Sequence, residues 1–331
     1  MKRGYSRTIL IAAGTAVCLT LIAFLLWGPK YAGKIIAIGK ADTPNSTSKA
    51  GSEGKNGEAK KPNASAKSKL GDVDLDKLKS EIKTYVAGRP GRVGVLLELD
   101  NGSKLDVRGS DTFPSASLIK VPIAIAVYNE VNRGKLKLTD KLTVPKVDAG
   151  LGGQVLPAGT QAEVGDLIEY MLGESDNASA NALIDKIGMD KINKIAASVG
   201  AKGTTLKRKM LDLDAIAAGV DNVITPADSV LFLNKLSGRK LLKPKYCDAI
   251  IADLATNRDK EMIASLQDAT VVHGSGAMSY SNGFLVSDSG IVKTGKGTYY
   301  LAVITKDQPS EKDGLTTVTD ISNKIKATLD K

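Results

Sequence analysis

Phe113-Pro-Ser-Ala-Ser-Leu-Ile-Lys120 and the apolar run that follows it, Val121 to Val131, organise the chain. Ser117 and Lys120 stand three apart, which on a helix puts both side chains on one face, a turn apart. A serine hydroxyl is a poor nucleophile until a base removes its proton. A lysine whose pKa is lowered by burial can be that base. The spacing alone is weak, because Ser-x-x-Lys occurs five times: Ser46/Lys49, Ser52/Lys55, Ser80/Lys83, Ser117/Lys120 and Ser237/Lys240. Only the Ser117 pair opens a long apolar segment able to bury a helix and keep water off the lysine.

The chain is long enough, at 331 residues and 42% hydrophobic content, to build a sizeable core. Lys2, Arg3 and Arg7 precede an uncharged stretch from Ile9 to Trp27, close to the roughly 20 residues that span a bilayer as a helix. Residues 1–28 are therefore expected to be an uncleaved single-pass membrane anchor with a cytoplasmic N-terminus, and the bulk of the chain to lie outside the cell. Residues 39–69, rich in Gly, Ser, Asn, Pro and Lys, cannot bury enough surface to order themselves and are expected to form a flexible linker. A folded domain then spans residues 70–331.

The formal charge of +10 is concentrated before that domain. Residues 1–27 carry +3 and residues 28–70 carry +6, leaving +1 for residues 71–331. A nearly neutral domain gives no reason to expect nucleic acid as a partner. Cys247 is the only cysteine beyond the anchor and His273 the only histidine, so no intrachain disulfide, zinc site or other metal or cofactor is expected.

Periodicity predicts a helix through Leu75, Leu78, Ile82 and Tyr85, ended by Gly88-Arg-Pro90. A hairpin follows: a strand over Arg92–Leu99, a turn at Asp100-Asn-Gly102 and a second strand to about Arg108. The Ser117 helix comes next. Gly150-Leu-Gly-Gly153 and Pro157-Ala-Gly159 read as turns, Val164–Leu172 and Ala178–Ile187 as helices. Thr204–Thr225 reads as a long loop, of the kind that is usually functional in a compact domain. Helices over Pro226–Leu236 and Lys245–Asn257 precede strands over Thr270–His273, Phe284–Val292 and Thr298–Thr305, then a helix over Leu315–Leu329. This order predicts an α+β fold: one five-stranded antiparallel sheet built from both chain ends, with a helical lobe inserted between them.

Ser175-Asp176-Asn177 sits between two predicted helices, where Ser175 can relay a proton and Asn177 can hydrogen-bond an amide. Read alone, the tripeptide equally suits a helix N-cap. Ser-x-x-Lys, Ser-Asp-Asn and Lys-Thr-Gly together are the signature of class A β-lactamases and penicillin-binding proteins. The chain carries the first two in that order, and residues from about 71 to 331 resemble a class A β-lactamase domain, residues 157–188 especially. The resemblance implies that Ser117 is the acylated nucleophile, Lys120 a general base or proton relay, Ser175 the proton donor to the leaving nitrogen, and Asn177 a substrate ligand. It further implies an oxyanion hole from the backbone N–H groups of Ser117 and Ala277, with Ser275 and Gly276 beside it.

Two departures qualify this. Lys293-Thr-Gly295 falls in a turn between strands, whereas the family's triplet lies on the preceding inner strand. There this chain has Gly274-Ser275-Gly276, without the lysine; His273 and Lys293 are the nearest substitutes in sequence. The family's deacylating glutamate is also missing: aligning Thr205-Leu-Lys-Arg208 puts Met210 at its position, with Asp212 and Asp214 downstream as possible deacylation carboxylates. Together with the expected anchor, the resemblance implies a membrane-tethered, extracytoplasmic serine hydrolase, expected to be monomeric, that forms an acyl-enzyme with β-lactams or related amides and releases it slowly. The alternatives are a penicillin-binding-protein-like peptidase acting on D-alanine-ended wall peptides, and a non-catalytic wall-binding or sensor module with the same fold. The lack of any Gly-x-Ser-x-Gly elbow and the place of the lone His273 on a predicted strand argue against a Ser-His-Asp hydrolase.

Overall fold

A computed structural model of the chain describes Leu70 and residues 73–147, 153–257 and 262–331. The expected anchor over residues 1–28 and linker over residues 39–69 lie outside the described residues. Among the described residues no helix is long and apolar enough to cross a membrane.

Helix α1 (Leu75–Ala87) is N-capped by Asp74, whose carboxylate accepts the Lys77 N–H, and buries Leu78 and Ile82. Strands β1 (Arg92–Leu99) and β2 (Lys104–Val107) form the expected hairpin, with Val95 opposite Val107. Strand β3 (Phe113–Pro114) leads into a 3₁₀ turn, Ala116–Ile119, and helix α2 (Lys120–Asn132). Ser117 therefore lies in the turn, and the α-helix proper starts at Lys120. Ten of the thirteen α2 residues are buried, so the helix runs through the core rather than along its surface.

A short pair, β4 (Lys141–Thr143) and β5 (Gln161–Glu163), precedes helices α3 (Val164–Gly173) and α4 (Asn177–Ile187). Helix α5 (Met189–Ser198) is an element the periodicity did not announce. It follows α4 after the single residue Gly188, whose φ of 85° turns the chain. The segment expected to be a plain loop, Thr204–Thr225, contains helix α6 (Leu213–Ala217) and strand β6 (Val223–Ile224), which pairs with β3. Helices α7 (Pro226–Ser237) and α8 (Pro244–Ala255) complete the lobe.

The last strands are longer than expected: β7 (Thr270–Tyr280), β8 (Gly283–Lys293) and β9 (Thr298–Gln308), before helix α9 (Glu311–Leu329). Gly274 and Gly276 depress β propensity and read as a strand end after His273. Eleven consecutive pairings with β8 override that local preference.

The main sheet has the order β2-β1-β9-β8-β7, antiparallel throughout, so strands from both ends of the chain meet at β1 and β9. Side chains alternate between two cores. Val93, Val95, Leu97 and Leu99 point to the layer of α1 and α9, with Val318, Ile321 and Ile325. Leu96, Ala302 and Ile304 point to the layer of α2 and α7, with Ile123 and Phe232. Burial on both faces accounts for the nearly continuous apolar sequence of β1. Strand β7 is left at the edge of the sheet, beside the Ala116–Ile119 turn.

Candidate active site

The turn before α2 places Ser117 against the edge strand. Ala116 adopts φ 41°, a left-handed conformation that an alanine rarely takes, and so holds the turn open at the next residue. Strand β7 passes so close that a Cβ at Gly276 would lie 2.8 Å from the Ser117 nitrogen and 2.9 Å from the Ala116 Cβ. Only glycine fits at that point. Ser115, two residues before Ser117, is tied by its N–H to the Asn222 carbonyl at 2.8 Å, which fixes the turn to the Thr204–Thr225 segment.

Lys120 is 2% exposed. Its Nζ lies 2.9 Å from Ser117 Oγ, 2.8 Å from Ser175 Oγ and 2.6 Å from the Ser175 carbonyl oxygen. Ser175 Oγ and Ser117 Oγ are 3.0 Å apart. The three polar groups form a closed triangle, and the three acceptors around Nζ match the three protons of an ammonium. Burial pushes the Lys120 pKa down to about 7, with the charge of nearby Asp176 working in the opposite direction. The amine is thus divided between its two forms near neutral pH, and the neutral form has a lone pair for the Ser117 proton.

Ser175 reaches this position from the connection between α3 and α4, where its own φ is 54°. Asp176, fully buried, is the N-cap of α4: its carboxylate accepts the N–H groups of Ser179 and Val155. The capping role weighed for this tripeptide thus falls to Asp176 and leaves Ser175 free for the triangle. Asn177 opens α4; its side chain lies so close to Gly153 that a Cβ there would be 2.3 Å from Nδ2. Asn177 Oδ1 is buried with no hydrogen-bond partner among the described residues, an acceptor left for a ligand.

On β7, Ser275 is half-buried opposite Asp288, Gly276 is packed on Ser117, and Ala277 is exposed. His273 does not replace the absent lysine. It is 3% exposed and its Nδ1 lies 2.9 Å from the buried Asp288 carboxylate. Lys293 ends β8, exposed, and Lys293-Thr-Gly295 lies in the turn to β9, away from β7's glycines.

Met210 sits where the resemblance places the deacylating carboxylate. It is 4% exposed and packed in the core of the helical lobe. Asp212 is exposed and N-caps α6 by accepting the Ala215 N–H at 3.0 Å, and Asp214 is exposed in the first turn of that helix. Neither carboxylate hydrogen-bonds Ser117, Lys120 or Ser175. Two supports were not read from the sequence. Asn181, one helical turn after Asn177 on α4, bonds both the N–H and the carbonyl of Met210; the i, i+4 spacing from Asn177 was the available signal. Arg208, 1% exposed, pairs with Asp221 at 2.7 Å, and Asp221 accepts the Tyr280 hydroxyl at 2.6 Å. That pair of contacts fastens the Met210 segment to the far end of β7.

Residues 77–329 match the profile of the "Beta-lactamase enzyme family". Among curated relatives, the β-lactamase VEB-1 of Pseudomonas aeruginosa is 28% identical over 131 residues, which cover 37% of this chain and 44% of that protein. The chain spans about half the length of the curated relatives it matches. Among solved structures, a β-lactamase from Sphaerobacter thermophilus aligns with a TM-score of 0.66 and 27% identity, covering 77% of this chain and 98% of that one. The structure of PBP-A aligns with a TM-score of 0.70 and 24% identity, covering 77% and 97%, a likeness of fold.

Proposed function

Because the chain belongs to the β-lactamase enzyme family, we propose that it is an extracytoplasmic serine hydrolase that is acylated on Ser117 by β-lactams or related amides and is deacylated slowly. The observation that carries this reading is the buried triangle of Ser117, Lys120 and Ser175. Neutral Lys120 takes the Ser117 proton as Oγ attacks the amide carbonyl. The tetrahedral oxyanion is received by the backbone N–H groups of Ser117 and Ala277. Collapse breaks the C–N bond, and the proton passes from Lys120 through Ser175 Oγ to the leaving nitrogen, so that the ester on Ser117 and a neutral amine are formed. Asn177 Oδ1, buried and unbonded, accepts an amide N–H of the substrate.

Hydrolysis of that ester needs a base beside a water, and Met210 offers none. A deacylating role for Asp212 or Asp214 requires the loop to leave its present path, since Asp212 is already engaged as a helix cap. The acyl-enzyme is therefore expected to accumulate. A second reading, a penicillin-binding-protein-like peptidase acting on D-alanine-ended wall peptides, is favoured by the same buried Met210.

Intact-mass spectrometry after incubation with a penicillin tests the proposal. The expected result is one covalent adduct on the wild type and none on Ser117→Ala. An adduct that survives the substitution moves the chemistry elsewhere, and no adduct on either protein favours a non-catalytic wall-binding or sensor module. Release of D-alanine from a wall pentapeptide, without turnover of a chromogenic cephalosporin, would favour the peptidase. The proposed location is tested by protease added to intact spheroplasts, which should release a fragment starting between Gly39 and Lys69. Resistance until the membrane is opened would refute it.

A further inference from the structure

Three stretches of the helical lobe hold only positive charge: Arg133–Lys135 after α2, Lys191–Lys202 along α5 and just beyond it, and Lys235–Lys245 from the last turn of α7 into the first turn of α8. Together they carry ten basic residues and no acidic one. The domain as a whole has a formal charge of +1, so the rest of it holds nine more acids than bases. The fold gathers the three stretches. Lys191 bonds Glu130 at 2.9 Å and ties α5 to the end of α2, and Lys235 Nζ donates to the Val199 carbonyl at 2.6 Å and ties α7 to the end of α5. The Tyr246 ring of α8 lies 5.3 Å from that of Tyr128 on α2. One face results, separated from Ser117 by the length of α2, about 20 Å of helix. Asp248 takes up Arg239. Arg133, Lys135, Lys194, Lys202, Lys240, Lys243 and Lys245 are exposed and form no ion pair among the described residues.

Helix ends account for part of this charge, since cations are favoured at the C-terminal ends of α2, α5 and α7, where the helix dipole is negative. Lys243 and Lys245 have no such reason. They flank Pro244 at the positive end of α8, whose first turn holds no acidic residue. Unpaired like charges on one face repel one another unless an anion covers them. We propose that this face rests on the anionic lipid headgroups of the membrane to which the chain is tethered, with the Ser117 end of α2 turned away from the bilayer. The inference rests on the extracytoplasmic location proposed above and on the anchor expected over residues 1–28. Two features select a lipid surface. The cations lie at the ends of four separate helices rather than around one point, which suits a plane of headgroups better than a single small anion. The linker expected over residues 39–69 would also hold the domain within about 30 Å of the bilayer, so that a modest attraction per charge is enough to keep the face down.

Lysine acetylation by an uncharged N-hydroxysuccinimide ester, read by peptide mass spectrometry, tests this on the full chain in nanodiscs of phosphatidylcholine with and without phosphatidylglycerol. Phosphatidylglycerol is expected to slow the acetylation of Lys194, Lys202, Lys240, Lys243 and Lys245 by about fivefold or more, the effect of a single cation at such a surface. Lys77 of α1 and Lys312 of α9, exposed on the other layer, should react as before. The slowing should vanish at about 0.5 M NaCl, where screening leaves only the nearest charges in contact. Lys240→Glu with Lys243→Glu and Lys245→Glu should abolish it at Lys194 and Lys202, and unchanged rates at Lys77 and Lys312 report that the variant is folded. Equal rates in the two discs, slowing of Lys77 and Lys312 to the same degree, or slowing that survives the triple substitution overturns the inference. Soluble polyglycerol phosphate that slows these lysines in neutral discs, where phosphatidylglycerol does not, would assign the face to a wall polymer and overturn the lipid. If the chain does not incorporate into neutral discs, the anchor falls. Phosphatidylglycerol vesicles added to the free chain then decide the face alone: slowing at its lysines upholds it, and unchanged rates overturn it.

Discussion

Asn181 holds Met210 by both ends of its side-chain amide: Oδ1 accepts the Met210 N–H at 2.7 Å and Nδ2 donates to the Met210 carbonyl at 3.0 Å. The backbone at position 210 is therefore fixed whatever side chain projects from it. What that side chain can do to a water decides the fate of an acyl-enzyme.

Met210→Glu is expected to shorten the lifetime of the penicillin adduct by about 10²-fold, the lower end of what a general base contributes. Acylation should change much less, because Lys120 rather than residue 210 serves that step. The decay of adduct mass after removal of free penicillin checks this, and an unchanged lifetime would show that no water is bound beside position 210.

Acylation should rise with pH through about 7 and then level off. In the proposed mechanism the reactive form is the neutral amine of Lys120, whose fraction grows as pH passes its lowered pKa. A rate independent of pH between 5.5 and 8.5, measured as pseudo-first-order adduct formation, would rule out Lys120 as the base.

The same burial has a cost in stability. Lys120 falls from an ordinary 10.5 to about 7 on folding, so between these values the unfolded chain binds more protons and stability rises with pH. The penalty is fully present below about pH 7 and gone above about pH 10.5; at roughly 1.4 kcal/mol per unit it is on the order of 5 kcal/mol. Lys120→Met should therefore be more stable than the wild type at pH 6, with the advantage shrinking toward pH 10. Urea unfolding at both values checks this, and an advantage that does not depend on pH would contradict it.

Asp221→Ala should cost about 3–5 kcal/mol, because Arg208, 1% exposed, is left as a buried charge without its partner. Tyr280→Phe removes one hydrogen bond to the same carboxylate and should cost about 1 kcal/mol. Chemical denaturation measures both. Equal small losses would show that water reaches the guanidinium.

The sheet and most helices were legible because their signals are local. The Val- and Leu-rich run of β1, the turn at Asp100-Asn-Gly102 and the spacing of Leu78 and Ile82 each report their own element. Ser117, Lys120 and Ser175 were legible as motifs, and the structure brings all three within hydrogen-bond reach. What stayed hidden depends on partners far away in sequence. Strand β7 continues past Gly274 because β8 pairs with it, and β6 is held by β3 and by Thr205, both distant in sequence. Helix α5 has just two buried residues, Ile192 and Ala196, too few for a clear periodic stripe. The capping duty of Asp212 was open in sequence, since a carboxylate before a short helix and a carboxylate beside a water look alike there.

The meeting of β1 with β9 also sets the order in which the molecule can be made. Leu99 pairs with Tyr299, so β1 has its hairpin partner β2 at once but waits for its other neighbour until some 200 further residues, about the separation of that pair, have been made. At ribosomal speeds of roughly 5–20 residues per second, that delay is about 10–40 s. Throughout it, one edge of β1, with apolar side chains on both faces, has no strand beside it, an invitation to pair with a strand of another chain. Closing so long a loop adds little to the equilibrium cost but makes the step slow. A nascent chain must therefore be kept from its neighbours until β9 emerges.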